Sequence, residues 1–318
     1  MKINIEYVPI NGNYVNEALN MVMHAYEKER KFIPSLPEGD FYNHLKNSIQ
    51  SLFDYGSGIA AIDGNRLVGF LAGYAVDNLF GKCSGVYCPE YGHGTIEENS
   101  LQLYGDIYKY AADLWVKNSH LTHAITMFAH SQDLVNTWFW QGFGLRCVDA
   151  IRETSKISIK EAGIKVKKSS MEDAEVLSHI HTQHNLYYRK SPIFMPKENT
   201  DAVKEHHDWL SEENHHEWAA YRNNIPVGVI SIASSAESFV ADHPSVMNIK
   251  AAYVDENERG TGIGTILLNT VQEWLLENGY PLSGVDFESI NTLGRNFWLK
   301  YFTPYTYSLV RRIDERVL

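Results

Sequence analysis

Cysteine is scarce in this chain: three residues among 318, Cys83, Cys88 and Cys147, all in the first half. Their odd number and spacing fit neither a disulfide framework nor a zinc–thiolate site, and suit reduced thiols in a reducing compartment. Long apolar runs are missing too, since none approaches the roughly 18 residues that a membrane-crossing helix needs. The opening residues, Met-Lys-Ile-Asn-Ile-Glu-Tyr, lack the basic start, apolar stretch and small-residue cleavage site of a secretory leader. A cytoplasmic location without membrane attachment is therefore expected. Positive charge is also in deficit. With 28 Lys and Arg against 39 Asp and Glu, the formal net charge is −11, which argues against a nucleic-acid partner, because phosphate binding depends on clustered cations. No Pro- or Ser-rich linker separates the two halves.

What is present is a repeat. A chain of 318 residues exceeds the usual size of one hydrophobic core, so two domains are favoured. The run Ala60-Ala61-Ile62-Asp63-Gly64-Asn65-Arg66-Leu67-Val68-Gly69-Phe70 lies over Ala219-Ala220-Tyr221-Arg222-Asn223-Asn224-Ile225-Pro226-Val227-Gly228-Val229 without a gap. Each reads as a hairpin around a Gly/Asn-type turn. Further on, Glu90-Tyr91-Gly92-His93-Gly94 falls opposite Glu258-Arg259-Gly260-Thr261-Gly262, and Asp133-x-x-Asn136-x-x-Phe139-Trp140 opposite Asn291-x-x-Gly294-x-x-Phe297-Trp298. Three matches in one order predict a duplication, with domains 1–158 and 159–318. The second copy reads as a strand at 164–168, helices at 171–187 and 201–211, a hairpin at 217–234, a strand at 248–254 and a helix at 262–278. A strand at 283–290, a helix at 292–300 and a strand at 305–313 complete it. The expected class is α/β (α+β), with a mixed, largely antiparallel sheet flanked by helices.

The chemistry is expected at Val254-Asp255-Glu256-Asn257-Glu258-Arg259-Gly260-Thr261-Gly262-Ile263-Gly264, a glycine-rich turn between an apolar strand and a helix. Glycines let the backbone fold back so that successive amides converge on one point, where the helix adds its partial positive charge. A pyrophosphate suits such a cradle. A tight turn without a ligand would need neither three glycines nor an arginine, and the nucleotide P-loop is excluded because no Gly-Lys-Ser/Thr follows.

Arg259-x-x-Gly262-x-Gly264 resembles the Arg/Gln-x-x-Gly-x-Gly/Ala signature of the GNAT (Gcn5-related) N-acetyltransferases. The likeness covers the C-terminal copy from about Ile164 to Ile313 well and the N-terminal copy in outline. It implies two tandem GNAT folds, with acetyl-CoA as cosubstrate; no metal is expected, on the histidine spacing given below. Arg259, Gly260, Thr261, Gly262, Ile263 and Gly264 would cradle the pyrophosphate, Tyr253 and Val254 would bond the pantetheine arm through their backbone, and Asn291 would steady the coenzyme. Asn291 is equally well explained as the N-cap of the next helix. The implied activity is acetyl transfer by direct attack to a primary amine of a small molecule or peptide. A non-catalytic acyl-CoA-binding protein on the same fold is the alternative. The oligomeric state has no signature in the sequence.

Acyl transfer to an amine needs a base for the amine proton and a proton for the departing thiolate. Asp286, five residues before Asn291, holds the family's carboxylate position and is the first candidate base. Glu288 shares its strand face and is the second. The family's tyrosine acid is replaced by Trp298, whose indole donates a hydrogen bond but supplies no proton. Tyr301, then Tyr305 or Tyr307, or solvent, is left for that role. The second copy contains no cysteine, so an acyl-cysteine intermediate is not expected there.

Seven histidines, His179, His181, His184, His206, His207, His215 and His216, crowd the start of the second copy. Their spacing matches no familiar metal motif, so a solvated helix face is expected, with one or two histidines turned to the acceptor pocket. The segment His184 to Phe194 reads as a connection overhanging that pocket. In the first copy Tyr91 and Ile96 replace the signature's arginine and last glycine, so its anion cradle should be lost.

Overall fold

The computed structural model describes residues 5–96, 100–160, 162–196 and 201–318, and one order of elements occurs twice. In the first half β1 (Ile5–Pro9) leads to α1 (Val15–Phe32), α2 (Tyr42–Tyr55), the hairpin β2 (Ser57–Asp63) and β3 (Arg66–Val76), and β4 (Gly85–Cys88). A short β5 (His93–Thr95), α3 (Ser100–Lys117), β6 (Thr122–Phe128), α4 (Gln132–Trp140) and β7 (Gly144–Glu153) complete it. The second half runs β8 (Lys165–Lys168), α5 (Ala174–Arg189), α6 (Ala202–Ser211), β9 (His216–Arg222), β10 (Ile225–Ala233) and β11 (Val246–Val254). Then come α7 (Ile263–Glu277), β12 (Leu282–Glu288), α8 (Thr292–Trp298) and β13 (Thr303–Arg312).

The fold is mixed α/β with a mostly antiparallel sheet. Parallel pairs occur at equivalent places in the two halves, β4 with β6 and β11 with β12, each pair spanning a helical crossover. The hairpins arise where the sequence places them. Asn223 and Asn224 turn between β9 and β10 with φ of 51° and 66°, the left-handed pair that a tight hairpin demands and that asparagine tolerates.

Two compact units result, Met1–Asp149 with Pro304–Leu318, and Ala150–Thr303. The first unit orders its strands β1-β2-β3-β4-β6-β13, with the opening residues of β7 next in line, over a core that includes Tyr108, Trp115, Trp138 and Leu309. A strand read as the last of the second copy is present as β13, yet it pairs antiparallel with β6, from Thr306↔Phe128 to Arg312↔Thr122, inside the first unit. Alternation marks a segment as extended, but nothing in it names the edge the strand will join.

The second unit orders β12-β11-β10-β9-β8. Leu177 and Ile180 of α5 pack on Ala219, Val229 and Tyr253 of the sheet, while α7 buries Leu267, Leu268, Val271 and Leu275. No helix among the described residues is long and apolar enough to cross a membrane.

Candidate active site

Within the second unit β11 and β12 run side by side and then part. Their parallel pairing extends from Val246↔Leu282 to Ile249↔Val285 and goes no further among the described residues. The cause sits on the other side of β11. There the register with β10 passes from Ile232↔Ile249 to Ser231↔Ala251, so Lys250 is an extra, bulged residue. A bulge bends its strand and ends regular pairing, and beyond it Ala252, Tyr253 and Val254 keep β10 on one edge while the other edge faces a cleft.

The cleft measures about 450 Å³ and is walled by Val229, Ile230, Ala252, Leu267, Leu293, Phe297 and Trp298. Its polar rim is the turn into α7. Gly260 and Gly262 take φ of 79° and 94°, conformations that cost a side-chain-bearing residue dearly, and a Cβ on either would meet nothing within 4 Å. The space over both is open. Ile266 is the first residue after the cap to donate back, to the Gly262 carbonyl at 3.0 Å, so the amides before it have no acceptor within the helix and add to the dipole's positive end. Gly264 is tighter, since its Cβ would stand 3.4 Å from the Phe297 ring.

Arg259 closes the turn. Its Nε donates to the Val254 carbonyl at 3.1 Å, and its guanidinium lies 4.7 Å from the centre of the Tyr187 ring and 5.4 Å from that of Tyr253. Burial raises the pKa of the Tyr187 hydroxyl, with Arg259 opposing and Glu256 assisting. Tyr187 also donates a 2.8 Å hydrogen bond to Asn291 Oδ1. That same oxygen accepts from the Gly294 amide at 3.1 Å, capping α8. Asn291 is thus both a cap and a wall of the cleft.

The structure therefore brings Tyr253, Val254, Arg259, Gly260, Gly262, Ile263, Gly264 and Asn291 to one cleft. Thr261 lies in the turn but points elsewhere, its hydroxyl donating to the Glu258 carbonyl at 2.7 Å. Asp286, Glu288 and Tyr301 are not among its walls. Asp286 is the first residue of β12 past the last pair, at the mouth of the fork. The residue is solvent-exposed, yet enough protein surrounds the carboxyl for desolvation to raise its pKa against the lowering pull of Lys250. Glu288, two residues on, is half-buried. The Tyr301 hydroxyl is 3.0 Å from Thr265 Oγ1, while Tyr305 and Tyr307 lie on β13 in the first unit.

Tyr187, from the segment expected to overhang the acceptor pocket, and Phe297, from the repeated aromatic pair, also line the cleft, as do Thr265 and Lys300, which carry no signal in the sequence. The helix expected at 171–187 runs on to Arg189 as α5, so the connection expected from His184 begins later and Tyr187 stays on the helix. Of the crowded histidines, His184 packs on Tyr253 with ring centres 5.6 Å apart, whereas His206 is buried rather than solvated.

The corresponding place in the first unit is built differently. His93, Gly94 and Thr95 form β5 and pair with β3. A Cβ on Gly92 would stand 2.5 Å from the Ala72 carbonyl oxygen, and one on Gly94 2.8 Å from Met21 Cβ. Protein fills the space that lies open at Gly260 and Gly262.

Residues 183–301 match the family model described as acetyltransferase (GNAT) family. No curated protein matches the chain. Among solved structures, a GCN5-related N-acetyltransferase from Sphaerobacter thermophilus is similar over 96% of this chain and 95% of that one, with a TM-score of 0.62 and 11% identity. A tandem GNAT protein from the clavulanic acid biosynthesis pathway is similar over 97% and 98%, with a TM-score of 0.50 and 13% identity. The glucosamine N-acetyltransferase region of a fungal multi-domain GH3 β-N-acetylglucosaminidase matches over 98% of this chain, which spans 38% of that enzyme, at a TM-score of 0.56 and 11% identity. At such identities the likeness is one of fold.

Proposed function

We propose that this chain, a member of the GNAT superfamily, is an N-acyltransferase whose working site is the cleft of the second unit, moving acetyl from acetyl-CoA to a primary amine of a small molecule or peptide. One observation carries the reading: an open-faced glycine turn at the N-terminus of α7 and the unpaired edge of a forked strand line the same cleft. The turn suits a pyrophosphate. The free edge of β11 at Tyr253 and Val254 suits an amide-bearing arm that pairs as a strand would. A coenzyme A thioester has both, joined in that order.

The acyl carbon would then reach the fork, where Asp286 stands beside the bulge. The amine lone pair attacks the thioester carbonyl, the C–N bond forms and the C–S bond breaks. The amine proton passes to the Asp286 carboxylate, directly or through water, and the CoA thiolate leaves and takes a proton from solvent. Direct attack is the simplest course because Ala150–Thr303 contains no cysteine. The first unit supports the fold without a second coenzyme site, since its equivalent turn is packed shut.

Acetyl-CoA titration of the wild type and of Gly262→Val, paired with CoA-thiol release against a panel of primary amines, tests the proposal. A β-branched residue at φ 94° is strained and fills the cradle, so affinity should fall at least about tenfold. Unchanged affinity overturns the site. Tight binding without turnover on any amine favours an acyl-CoA-binding protein instead.

A further inference from the structure

Spacing along the chain hides a second constellation in the same unit. His181 of α5, His206 of α6 and Glu217 of β9 converge, with one potential ligand atom from each lying within 4.8 Å of the others. His206 Nδ1 is 3.3 Å and His181 Nε2 3.4 Å from the same oxygen, Glu217 Oε1. All three atoms are shielded from solvent, and none makes a hydrogen bond, because the contacts are of ion-pair length but fail hydrogen-bond geometry. The His206 and Glu217 side chains are 0% and 3% exposed, and His181, at 19%, leaves a path in from solvent.

The protonation pattern makes this arrangement costly as it stands. His206 Nε2 lies 2.9 Å from the Ser170 carbonyl, which only accepts, so Nε2 carries the hydrogen. Ser170 is held in turn by Asp173, whose Oδ2 accepts from the Ser170 amide at 2.8 Å and hydroxyl at 2.9 Å. A neutral His206 therefore points a lone pair at a buried carboxylate oxygen, two acceptors face to face in a low dielectric. Only a cation between them relieves this, either a proton or a metal ion. Distance separates the two cases. A charge-assisted N–H···O bond closes to about 2.7–2.9 Å, whereas donors placed tetrahedrally about an ion at roughly 2.0–2.1 Å stand about 3.3–3.4 Å apart, the length of both nitrogen–oxygen contacts here; the two imidazole nitrogens, within 4.8 Å of one another, would close to a similar separation on binding the ion.

We infer that His181, His206 and Glu217 form a binding site for a divalent transition metal, with Zn²⁺ the best match to two imidazoles and one carboxylate and a fourth position left for water. The Ser170 carbonyl fixes the tautomer that His206 needs as a ligand, the usual support for a metal-bound imidazole. The ion would tie α5 and α6 to β9, and so steady the helix that carries Tyr187 into the cleft.

The test uses the full chain with any affinity tag removed, stripped with a chelator and titrated with ZnCl₂ by calorimetry, and separately with CoCl₂ by visible absorption. One Zn²⁺ per chain is expected, with the melting temperature raised by on the order of 5 °C once free zinc reaches about a hundred times Kd. Co²⁺ should give the intense visible bands of a four-coordinate ion. Glu217→Gln and the milder His181→Asn should each weaken zinc binding at least about a hundredfold. His181 is partly exposed, so its variant keeps the test valid if Glu217→Gln misfolds. Absence of binding by the stripped chain, or equal binding by a folded His181→Asn chain, overturns the inference and leaves a buried histidine–glutamate ion pair.

Discussion

At Asp286 two opposing influences set the pH at which one carboxyl becomes a base. Desolvation raises its pKa and the Lys250 ammonium across the fork lowers it, with a net upward shift. A base must be deprotonated to act, so turnover should rise with pH through that raised pKa before levelling. Asp286→Asn removes the proton acceptor and keeps the shape. It should lower turnover at neutral pH by roughly 10²–10⁴-fold, leave acetyl-CoA affinity nearly unchanged, and flatten that rise. Partial recovery at high pH is expected, because more of the amine is then already neutral. The check is kcat against pH for Asp286→Asn and Glu288→Gln. Should Glu288→Gln alone be crippled, the base is the second carboxylate of that face. Trp298, a buried wall of the cleft, has no proton to give the thiolate.

The elements show what a sequence carries and what it withholds. The turn 259–264 was legible because its chemistry is local: glycines, an arginine, a strand before and a helix after. The fork was legible only through the family likeness, which frees the backbone of Tyr253 and Val254 for the pantetheine arm; locally it follows from one bulged residue, Lys250, that nothing in its neighbours announces. Tyr187 meets Asn291 from 104 positions away, yet a signal existed. Leu177, Ile180, His184 and Tyr187 recur at helical spacing within the helix expected at 171–187 and mark the inward stripe of α5. For Asn291, the cap and the coenzyme contact can be separated by substitution. Asn291→Asp keeps an oxygen for the Gly294 amide and the Tyr187 hydroxyl, so its melting temperature should stay near the wild type. Asn291→Ala loses both partners and should cost about 1–2 kcal/mol. If Asn291→Asp restores stability but not acetyl-CoA affinity, the amide itself touches the coenzyme; if both return, the residue acts through α8 alone.

Across the whole molecule, the duplication could be read from three ordered matches, but not the path of the last strand. Leu309 of β13 is buried in the first unit's core, so Leu309→Ala should destabilise that unit by about 2–5 kcal/mol. A chain ending at residue 303 should lose the unit's cooperative melt. A full-length-like melt of that truncated chain would show β13 to be dispensable. The same unit holds two histidines whose burial ties stability to pH. His93 sits with Nε2 2.9 Å from the Thr126 carbonyl and Nδ1 3.0 Å from the Tyr104 hydroxyl. His123 repeats this with the His120 carbonyl at 3.1 Å and the Tyr108 hydroxyl at 2.9 Å. Each carbonyl accepts from Nε2, so each Nδ1 is left to accept from a phenol, and both rings are fully paired only when neutral. Desolvation pushes their pKa values down from 6.5 to about 4. Between those values the unfolded chain binds protons that the folded one refuses, so stability falls as pH drops through this window. At pH 5 the loss amounts to roughly 2 kcal/mol per histidine relative to pH 7. Glu29, whose pKa is raised chiefly by burial against the lowering effect of His130, acts in the opposite sense, so a difference between variants is the cleaner measure. A glutamine at position 123 can donate to the His120 carbonyl and accept from Tyr108 without titrating. Urea unfolding of wild type and His123→Gln at pH 7 and pH 5 should therefore show the pH-dependent loss shrinking by about 2 kcal/mol in the variant. An unaltered loss would mean that His123 takes up its proton in the folded state, against the hydrogen bonds that hold it.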